Sequence, residues 1–149
     1  MAAEVFIDTS GFYAQWDRND AAHEAVKAWL RANRGKFVAV TTEWVIGETC
    51  TLLVARGVPH LIGPFLDQLA ASRALRSINP DADTLDETKR FLRRHADQGY
   101  SFVDCLSFCV MKNNRVLRAL TTDLHFRKAG FQPLPHDCVV NSQRFANSQ

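Results

Sequence analysis

Four acidic side chains lie where a surface carboxylate is not expected: Asp8, Glu48, Asp104 and Asp123. Two of them directly follow apolar runs, since Asp8 comes after VFI (5–7) and Asp123 comes after VLRALTT (116–122). In a parallel sheet, ligands bind outside the carboxyl ends of the strands, which is where both acids would lie. Taken one at a time, each is equally compatible with an ordinary helix cap or turn residue.

Asp104 interrupts SFVDCLSFCV (101–110), a segment that otherwise has the composition of a buried helix. Ser101 stands three residues before it, which is the spacing of a capping box, and an acid in the first turn also suits the helix dipole. On this segment alone, a capping role is favoured over a chemical one.

Glu48 falls on an apolar helical stripe. In the helix predicted to begin at Thr42, it lies three residues after Val45 and four before Leu52, which places these side chains on one face. A buried, unpaired carboxylate would be costly or would have to take up a proton. The structural alternative is that the edge of the stripe is exposed to water.

The elements that position these acids alternate along the chain. The hydrophobic pattern predicts strands at 4–7, 36–41, 75–79, 116–122 and 131–135, and helices at 20–33, 42–56, 59–71, 81–97 and 102–113. Asp20 is the predicted cap of the first of these helices, and another helix start is indicated directly after Asp8. This alternation implies right-handed crossovers and a mostly parallel sheet of four to five strands with helices on both faces, so the fold class is α/β.

All four acids can then reach one cleft at the carboxyl edge of the sheet. Two carboxylates about 4 Å apart repel each other by roughly 4 kcal/mol at an effective dielectric constant near 20. A cluster of several must therefore take up protons or bind a cation. Oxygen ligands favour Mg²⁺ or Mn²⁺ over zinc or copper.

The composition is that of an ordinary globular protein: of 149 residues, 46% are hydrophobic and 23% charged, and the formal net charge is +2. We expect one domain over residues 1–149, with a charge that permits nucleic-acid binding without arguing for it. No signal peptide is evident, and no stretch approaches the roughly 20 apolar residues of a membrane span, so we expect a cytoplasmic protein without membrane contact. The cysteines Cys50, Cys105, Cys109 and Cys138 form no C-x-x-C pair, which disfavours a zinc site. We expect Cys105 and Cys109 to be reduced core residues.

The order and spacing of five motifs resemble those of a PIN domain, in particular the ribonuclease toxins of bacterial VapBC-type toxin–antitoxin modules. The motifs are VFIDTSGFYA, WVIGET, SFVDCLSF, LTTDLHF and FQPL, which together span nearly the whole chain. The metal-binding acidic quartet of that family is matched by Asp8, Glu48, Asp104 and Asp123. The resemblance also implies that the Ser10 hydroxyl supports the site by hydrogen bonding, and we assign Thr122 a similar supporting role.

The same resemblance implies a compact three-layer α/β/α sandwich and a Mg²⁺- or Mn²⁺-dependent endoribonuclease in which the four acids are catalytic. Toxins of this family act on tRNA, rRNA or mRNA, commonly form homodimers and are held inactive by a cognate antitoxin protein. We expect water to attack an RNA phosphodiester and displace the 3′ oxygen, without a covalent nucleophile. Candidate RNA contacts are Arg90, Arg93, Arg94, Lys112 and His125, each of which, taken singly, is more often an ordinary surface residue.

Other interpretations carry different predictions. A PIN-like module could bind RNA or protein without cleaving, although the complete set of acids argues against it. A free-standing RNA-processing nuclease would carry the same acids as a toxin. A haloacid-dehalogenase-type phosphatase would need D-x-D-x-T where this chain has D-T-S-G (8–11), and the paired acids and late lysine of a receiver domain are not evident.

Overall fold

The computed structural model describes residues 2–136 of the chain. Its strands are β1 (Ala3–Ile7), β2 (Phe37–Thr41), β3 (Leu75–Ser77), β4 (Arg118–Leu120) and β5 (Gln132–Leu134). Its α-helices are α1 (Thr9–Trp16), α2 (His23–Ala32), α3 (Glu43–Ala55), α4 (Ile62–Ala71), α5 (Ala82–Arg94), α6 (Phe102–Asn113) and α7 (Leu124–Lys128). All five predicted strands are therefore confirmed, although most are shorter than the apolar runs that predicted them.

The strands form one parallel sheet in the order β3-β2-β1-β4-β5. Central strand β1 pairs on both sides, because Phe6 lies opposite Val40 of β2 and Ala119 of β4. The chain builds outward from β1 in one direction through β2 and β3, and in the other through β4 and β5. The space between the ends of β1 and β4 is thus the topological switch point, where an open parallel sheet forms its ligand-binding crevice.

Both faces of the sheet are covered. Consecutive strand residues point to opposite faces, yet Val5, Phe6 and Ile7 are all buried. Such a continuous buried run is typical of a parallel strand between two layers of helices. The predicted three-layer α/β/α arrangement is confirmed.

Helix α6 is buried on almost every side, with seven consecutive buried residues from 105 to 111. Phe108 packs edge-to-face against Phe126 of α7, with ring centroids 5.0 Å apart. Cys105 and Cys109 are buried free thiols in this helix, as predicted for core residues; Cys138 lies outside the described residues. A helix packed this tightly holds its first turn, which carries Asp104, in a fixed position.

Several helix boundaries differ from the predictions. The helix predicted at 20–33 begins at His23 instead, because the Asp20 carboxylate accepts the Ala22 N–H at 2.9 Å and so forms a turn ahead of the helix rather than a cap. The predicted helices at 59–71 and 81–97 each include a short 3₁₀ turn, at Pro59–Leu61 and Ala96–Gln98. No helix between residues 2 and 136 is both long and apolar enough to cross a membrane.

Candidate active site

Asp8 links the end of β1 to the start of α1. It is the N-cap of that helix, and its Oδ1 accepts the Gly11 N–H at 2.9 Å and the Ser10 hydroxyl at 2.8 Å. Its Oδ2 accepts the Thr121 hydroxyl at 3.0 Å. The side chain is buried, with 5% of the residue exposed, so these bonds fix its orientation.

Two hydroxyl groups connect Asp8 to the end of β4. The Ser10 oxygen accepts the Thr122 N–H at 2.9 Å, and the Thr121 oxygen accepts the Asp123 N–H at 2.9 Å. Each hydroxyl has a single hydrogen, and both hydrogens point to Asp8 when that carboxylate is ionised. The loops after β1 and β4 are therefore held together through Asp8.

Gly11 allows α1 to approach β4 closely. A Cβ atom at this position would lie 2.2 Å from the carbonyl oxygen of Leu120, a backbone atom that cannot move aside easily. The closeness of this contact is what brings the first turn of α1 within hydrogen-bonding distance of Thr121 and Thr122. The glycine of the D-T-S-G segment is thus a packing requirement of the site.

Glu48 enters the cleft from the middle of α3. Its Oε1 accepts the Thr9 hydroxyl at 2.6 Å, which ties α3 to the first residue of α1. The side chain is partly buried, between the buried residues of the α3 core face and the exposed surface. Both sequence interpretations therefore hold in part, since Glu48 lies at the edge of the apolar stripe and also faces the other acids.

Asp104 is both a helix-capping residue and a member of the acid cluster. Ser101 and Asp104 form the complete capping box, in which each side chain accepts the other's backbone N–H at 3.0 Å. The carboxylate also lies beside His125, whose Nδ1 is 3.3 Å from Asp104 Oδ2. The predicted cap and the predicted site residue are thus the same group.

Asp123 caps α7 by accepting the His125 N–H at 2.9 Å. His125 Nδ1 lies 3.3 Å from the same oxygen, Oδ1. The imidazole ring meets Tyr100 edge-to-face at 5.1 Å, which fixes it between the two aspartates. The expectation of an ordinary surface histidine at this position is wrong, because the His125 side chain is 12% exposed and faces the acids.

The electrostatics of the cluster favour bound protons or a cation. Burial raises the pKa of Asp8 from 3.8 to about 8, and the charge of Asp123 adds to the increase against the opposing effect of its hydrogen bonds. Burial raises the pKa of Asp104 to about 6, with further contributions from the charges of Asp123 and Glu48. The charge of Asp123 therefore acts on both Asp8 and Asp104, and that of Glu48 acts on Asp104.

The four acids line one open cleft of about 210 Å³. One ligand atom each from Asp104, Asp123 and His125 lie within 4.8 Å of one another, which is close enough to share a metal ion. Asp8 also lines the cleft, and its Oδ2, which accepts the Thr121 hydroxyl, has a second lone pair. The donor set, mainly carboxylate oxygen, fits a divalent metal ion such as Mg²⁺ or Mn²⁺.

The sequence profile of the PIN domain matches residues 5–132. The chain belongs to the PIN domain family. A curated relative, the 23S rRNA-specific endonuclease VapC20 of Mycobacterium tuberculosis, is 35% identical over 127 residues, which cover 85% of this chain and 95% of the relative. The VapC-type resemblance inferred from the five motifs is therefore confirmed. The protein is a homologue of an RNA endonuclease, and nucleases with PIN domains depend on a metal ion.

Solved structures agree with this assignment. The crystal structure of M. tuberculosis VapC20, described as a sarcin–ricin loop cleaving toxin, has a TM-score of 0.77 and 33% identity, and the match covers 85% of this chain and 95% of that one. VapBC2 from Rickettsia felis, solved with a DNA fragment from its promoter, has a TM-score of 0.63 and covers 93% of this chain and 98% of that one. Its 11% identity supports the fold alone.

The predicted RNA contacts lie apart from the acids of the PIN domain, with His125 as the exception. Arg94 and Lys112 line a separate cavity of about 410 Å³ between α5, α6 and the segment before β5. Arg90 and Arg93 are exposed on α5. The structure therefore does not bring these four cations into the acid cleft.

Three contributors to the site of the PIN domain were missed or misassigned. Thr9 bonds to Glu48, and Thr121, rather than Thr122, directs its hydroxyl to Asp8. Thr122 contributes its backbone N–H to Ser10. The adjacent threonines signalled a hydroxyl near Asp123, but neighbouring residues at a strand end point in different directions, so the sequence could not indicate which of the two faces Asp8.

Proposed function

We propose that this protein is a Mg²⁺- or Mn²⁺-dependent endoribonuclease that acts as the toxin of a type II toxin–antitoxin pair. The observation that carries the proposal is the convergence of Asp8, Glu48, Asp104 and Asp123 on one cleft at the topological switch point. The raised pKa values of Asp8 and Asp104 support it, because such a cluster is stabilised by a cation. The 35% sequence identity to an rRNA-specific endonuclease supports RNA as the substrate.

The metal ion would be held by Asp8, Glu48, Asp104 and Asp123. When bound, the ion would lower the pKa of a water molecule that contacts it and would stabilise the leaving oxygen. The protein's own contribution is to position and orient its carboxylates: the capping box holds Asp104, the Thr9 hydroxyl holds Glu48, and the α7 cap holds Asp123. Asp123 would hold the ion through a water molecule, and a carboxylate oxygen that does not contact the metal directly would orient the attacking water and accept its proton.

The reaction in this proposal is hydrolysis of an RNA phosphodiester. Water adds to phosphorus, the bond to the 3′ oxygen breaks, and the products are a 3′-hydroxyl and a 5′-phosphate. Ser10 and Thr121 take no covalent part, since both donate their hydrogens to Asp8 and hold its orientation.

The partners follow from the same proposal. The substrate is tRNA, rRNA or mRNA, the activity is restrained by a cognate antitoxin, and the protein works in the cytoplasm as a homodimer. Expression of the chain alone should arrest growth, and co-expression of a small protein encoded beside it should relieve the arrest. Toxicity that such a protein does not relieve would instead favour a free-standing RNA-processing nuclease.

The cations Arg90, Arg93, Arg94 and Lys112 remain candidate RNA contacts in this proposal, at a surface away from the acids. RNA phosphates outside the cleft would release counterions when they bind these cations. Replacing Arg90, Arg93 and Arg94 together by Gln should therefore reduce the slope of log affinity against log salt by up to about three.

The decisive assay is cleavage of total RNA by the purified protein, with cleavage positions mapped at the 5′ ends of the products. We expect cleavage at a small number of positions, complete loss in EDTA, and recovery with Mg²⁺ or Mn²⁺. A protein that binds RNA but does not cleave it with either ion would be a non-cleaving binding module. In that case the proposed activity is wrong.

A further inference from the structure

The acid cleft continues along α3 beyond the carboxylates. Glu48, Leu52 and Arg56 all line it, and their spacing of four and eight residues places them on one face of the helix. At a rise of about 1.5 Å per residue, Arg56 lies roughly 12 Å along the helix axis from Glu48. The cleft thus has an acidic end and, two helical turns away, a guanidinium group.

Helix α1 forms the facing wall with the same spacing. Thr9 and Tyr13 are four residues apart and both line the cleft. Thr9 contacts Glu48 at the acidic end, and the Tyr13 ring lies under the Arg56 guanidinium, with 5.7 Å between the guanidinium carbon and the ring centroid. The two helices therefore run side by side and form an extended track.

The Tyr13 ring that contacts Arg56 is itself held in a fixed position. The Tyr13 hydroxyl donates to the carboxylate of Asp17, which is buried and is fixed further by the Asn19 N–H at 2.9 Å. The aromatic ring is thus locked by its own hydrogen bond, and it presents a flat face to the guanidinium. A stacked guanidinium still has donors at its edge that can contact a phosphate.

Arg56 carries a positive charge in a cleft that is lined by several acidic side chains. Five carboxyl groups line the cleft, because Asp20 joins the four acids of the cluster, and within residues 2–136 Arg56 is the only lysine or arginine that does so. A cation bound by the four acids would attract the phosphate at the cleavage position. The next phosphate of the strand has no such cation, and the guanidinium is the group that can bind it.

We propose that Arg56 binds the RNA phosphate adjacent to the cleaved one and so sets the path of the strand along the track between α1 and α3. This inference rests on the proposed nuclease function and adds a substrate-binding residue to it. The competing role is structural: Arg56 would only balance the charges of Asp17 and Asp20.

The test compares Arg56→Gln, Arg56→Lys and the control Arg73→Gln. Arg73 is exposed and precedes β3, so it lies at the opposite edge of the sheet from the acids. We expect Arg56→Gln to raise KM for RNA about tenfold and to reduce the salt slope of RNA binding by about one, with Arg56→Lys intermediate and Arg73→Gln unchanged. Thermal melting establishes whether each variant keeps the fold.

A chemically modified substrate separates binding from structural support. In a short RNA with one mapped cleavage position, a single neutral methylphosphonate is placed at each neighbouring phosphate in turn. At one of these positions, the methylphosphonate should weaken RNA binding by the wild type about tenfold. It should have almost no further effect on RNA binding by Arg56→Gln, because that variant has already lost the contact. A purely structural arginine would leave the sensitivity of all positions the same in both proteins, and that result would overturn the proposal.

The two proposals fail in different ways. Cleavage by the wild type together with an unchanged salt slope and unchanged KM in Arg56→Gln would remove Arg56 from the substrate site and leave the nuclease function intact. If the wild type binds RNA but never cleaves it, the nuclease function is wrong. The Arg56 contact still stands in that case if Arg56→Gln shows the expected decrease in the salt slope of RNA binding.

Discussion

Nδ1 of His125 lies 3.3 Å from Oδ2 of Asp104. That oxygen also accepts the Ser101 N–H at 3.0 Å, so one atom serves a helix cap and faces a charged cluster. The other oxygen of the carboxylate, Oδ1, has lone pairs of its own that can bind a cation. Capping and metal binding are therefore compatible at this residue.

Asp104→Asn should abolish cleavage while the fold is kept. The amide oxygen can still accept the Ser101 N–H, whereas the negative charge is gone, and we expect kcat to fall by at least about 100-fold. Ser101→Ala is the matched control, because it breaks the capping box and leaves the charge in place; it should lower the free energy of unfolding by about 1 kcal/mol and retain most of the activity. Cleavage by Asp104→Asn at the wild-type rate would exclude the residue as a ligand.

Thr121→Val should weaken metal binding. The substitution keeps the shape of the side chain but removes the hydrogen bond to Asp8 Oδ2. Losing such a partner typically lowers metal affinity about 10- to 100-fold, so we expect calorimetric titration with Mn²⁺ to show weaker binding and activity to recover at high metal concentration. Thr122→Val is the control, since the bond from residue 122 to Ser10 comes from its backbone N–H. Equal losses of metal affinity in the two variants would contradict the assignment of the Thr121 hydroxyl as the group that orients Asp8.

Without a divalent ion, the protein should become less stable as the pH rises. The pKa of Asp8 is raised from 3.8 to about 8 and that of Asp104 to about 6, so the folded state binds more protons than the unfolded state from about pH 4 to about pH 8. The free energy of unfolding then falls with pH through this interval. Urea denaturation in EDTA should show a higher midpoint at about pH 5 than at about pH 8.

The same measurement with Mg²⁺ should show a stabilising effect that grows with pH, because the ion replaces the bound protons. In Asp8→Asn, the dependence of the metal-free protein on pH should become much weaker. A midpoint in EDTA that rises between these two pH values would contradict the raised pKa of Asp8.

Gly11→Ala should destabilise the fold. The added Cβ would lie 2.2 Å from the Leu120 carbonyl oxygen, so α1 and β4 must separate, and we expect a loss of about 3 kcal/mol in the free energy of unfolding. Gly47→Ala, in α3, is the control: a Cβ there meets nothing within 4 Å, and alanine should stabilise the helix by about 0.5–1 kcal/mol. Chemical denaturation of the two variants should therefore give changes of opposite sign.

The elements of the fold could be predicted because their signals are local. Strand β1 is a short apolar run that ends at a good cap, and α3 lies between Thr42, which caps it, and Gly57, which has a positive φ. Helix α7 was not predicted, since five residues are too few to show a helical period.

The contacts between elements were harder to predict. The four acids could be recognised from their own surroundings, but the position of His125 beside them involves Tyr100, 25 positions earlier, which packs against its ring. Arg56 shares a face with Glu48 by spacing alone, yet its place in the cleft depends on Tyr13 of a different helix. Such contacts come from tertiary packing, which one sequence does not encode in any local pattern.

Three of the four acids take part in the cap at the start of a helix, and Glu48 does not. Substituting Asp8, Asp104 or Asp123 alters a cap as well as the cluster, whereas Glu48→Gln keeps an acceptor for the Thr9 hydroxyl and leaves every helix start intact. Position 48 is therefore the natural choice for producing a harmless and stable form of the protein in quantity. That form would be the starting material for crystallising the protein with an uncut RNA strand.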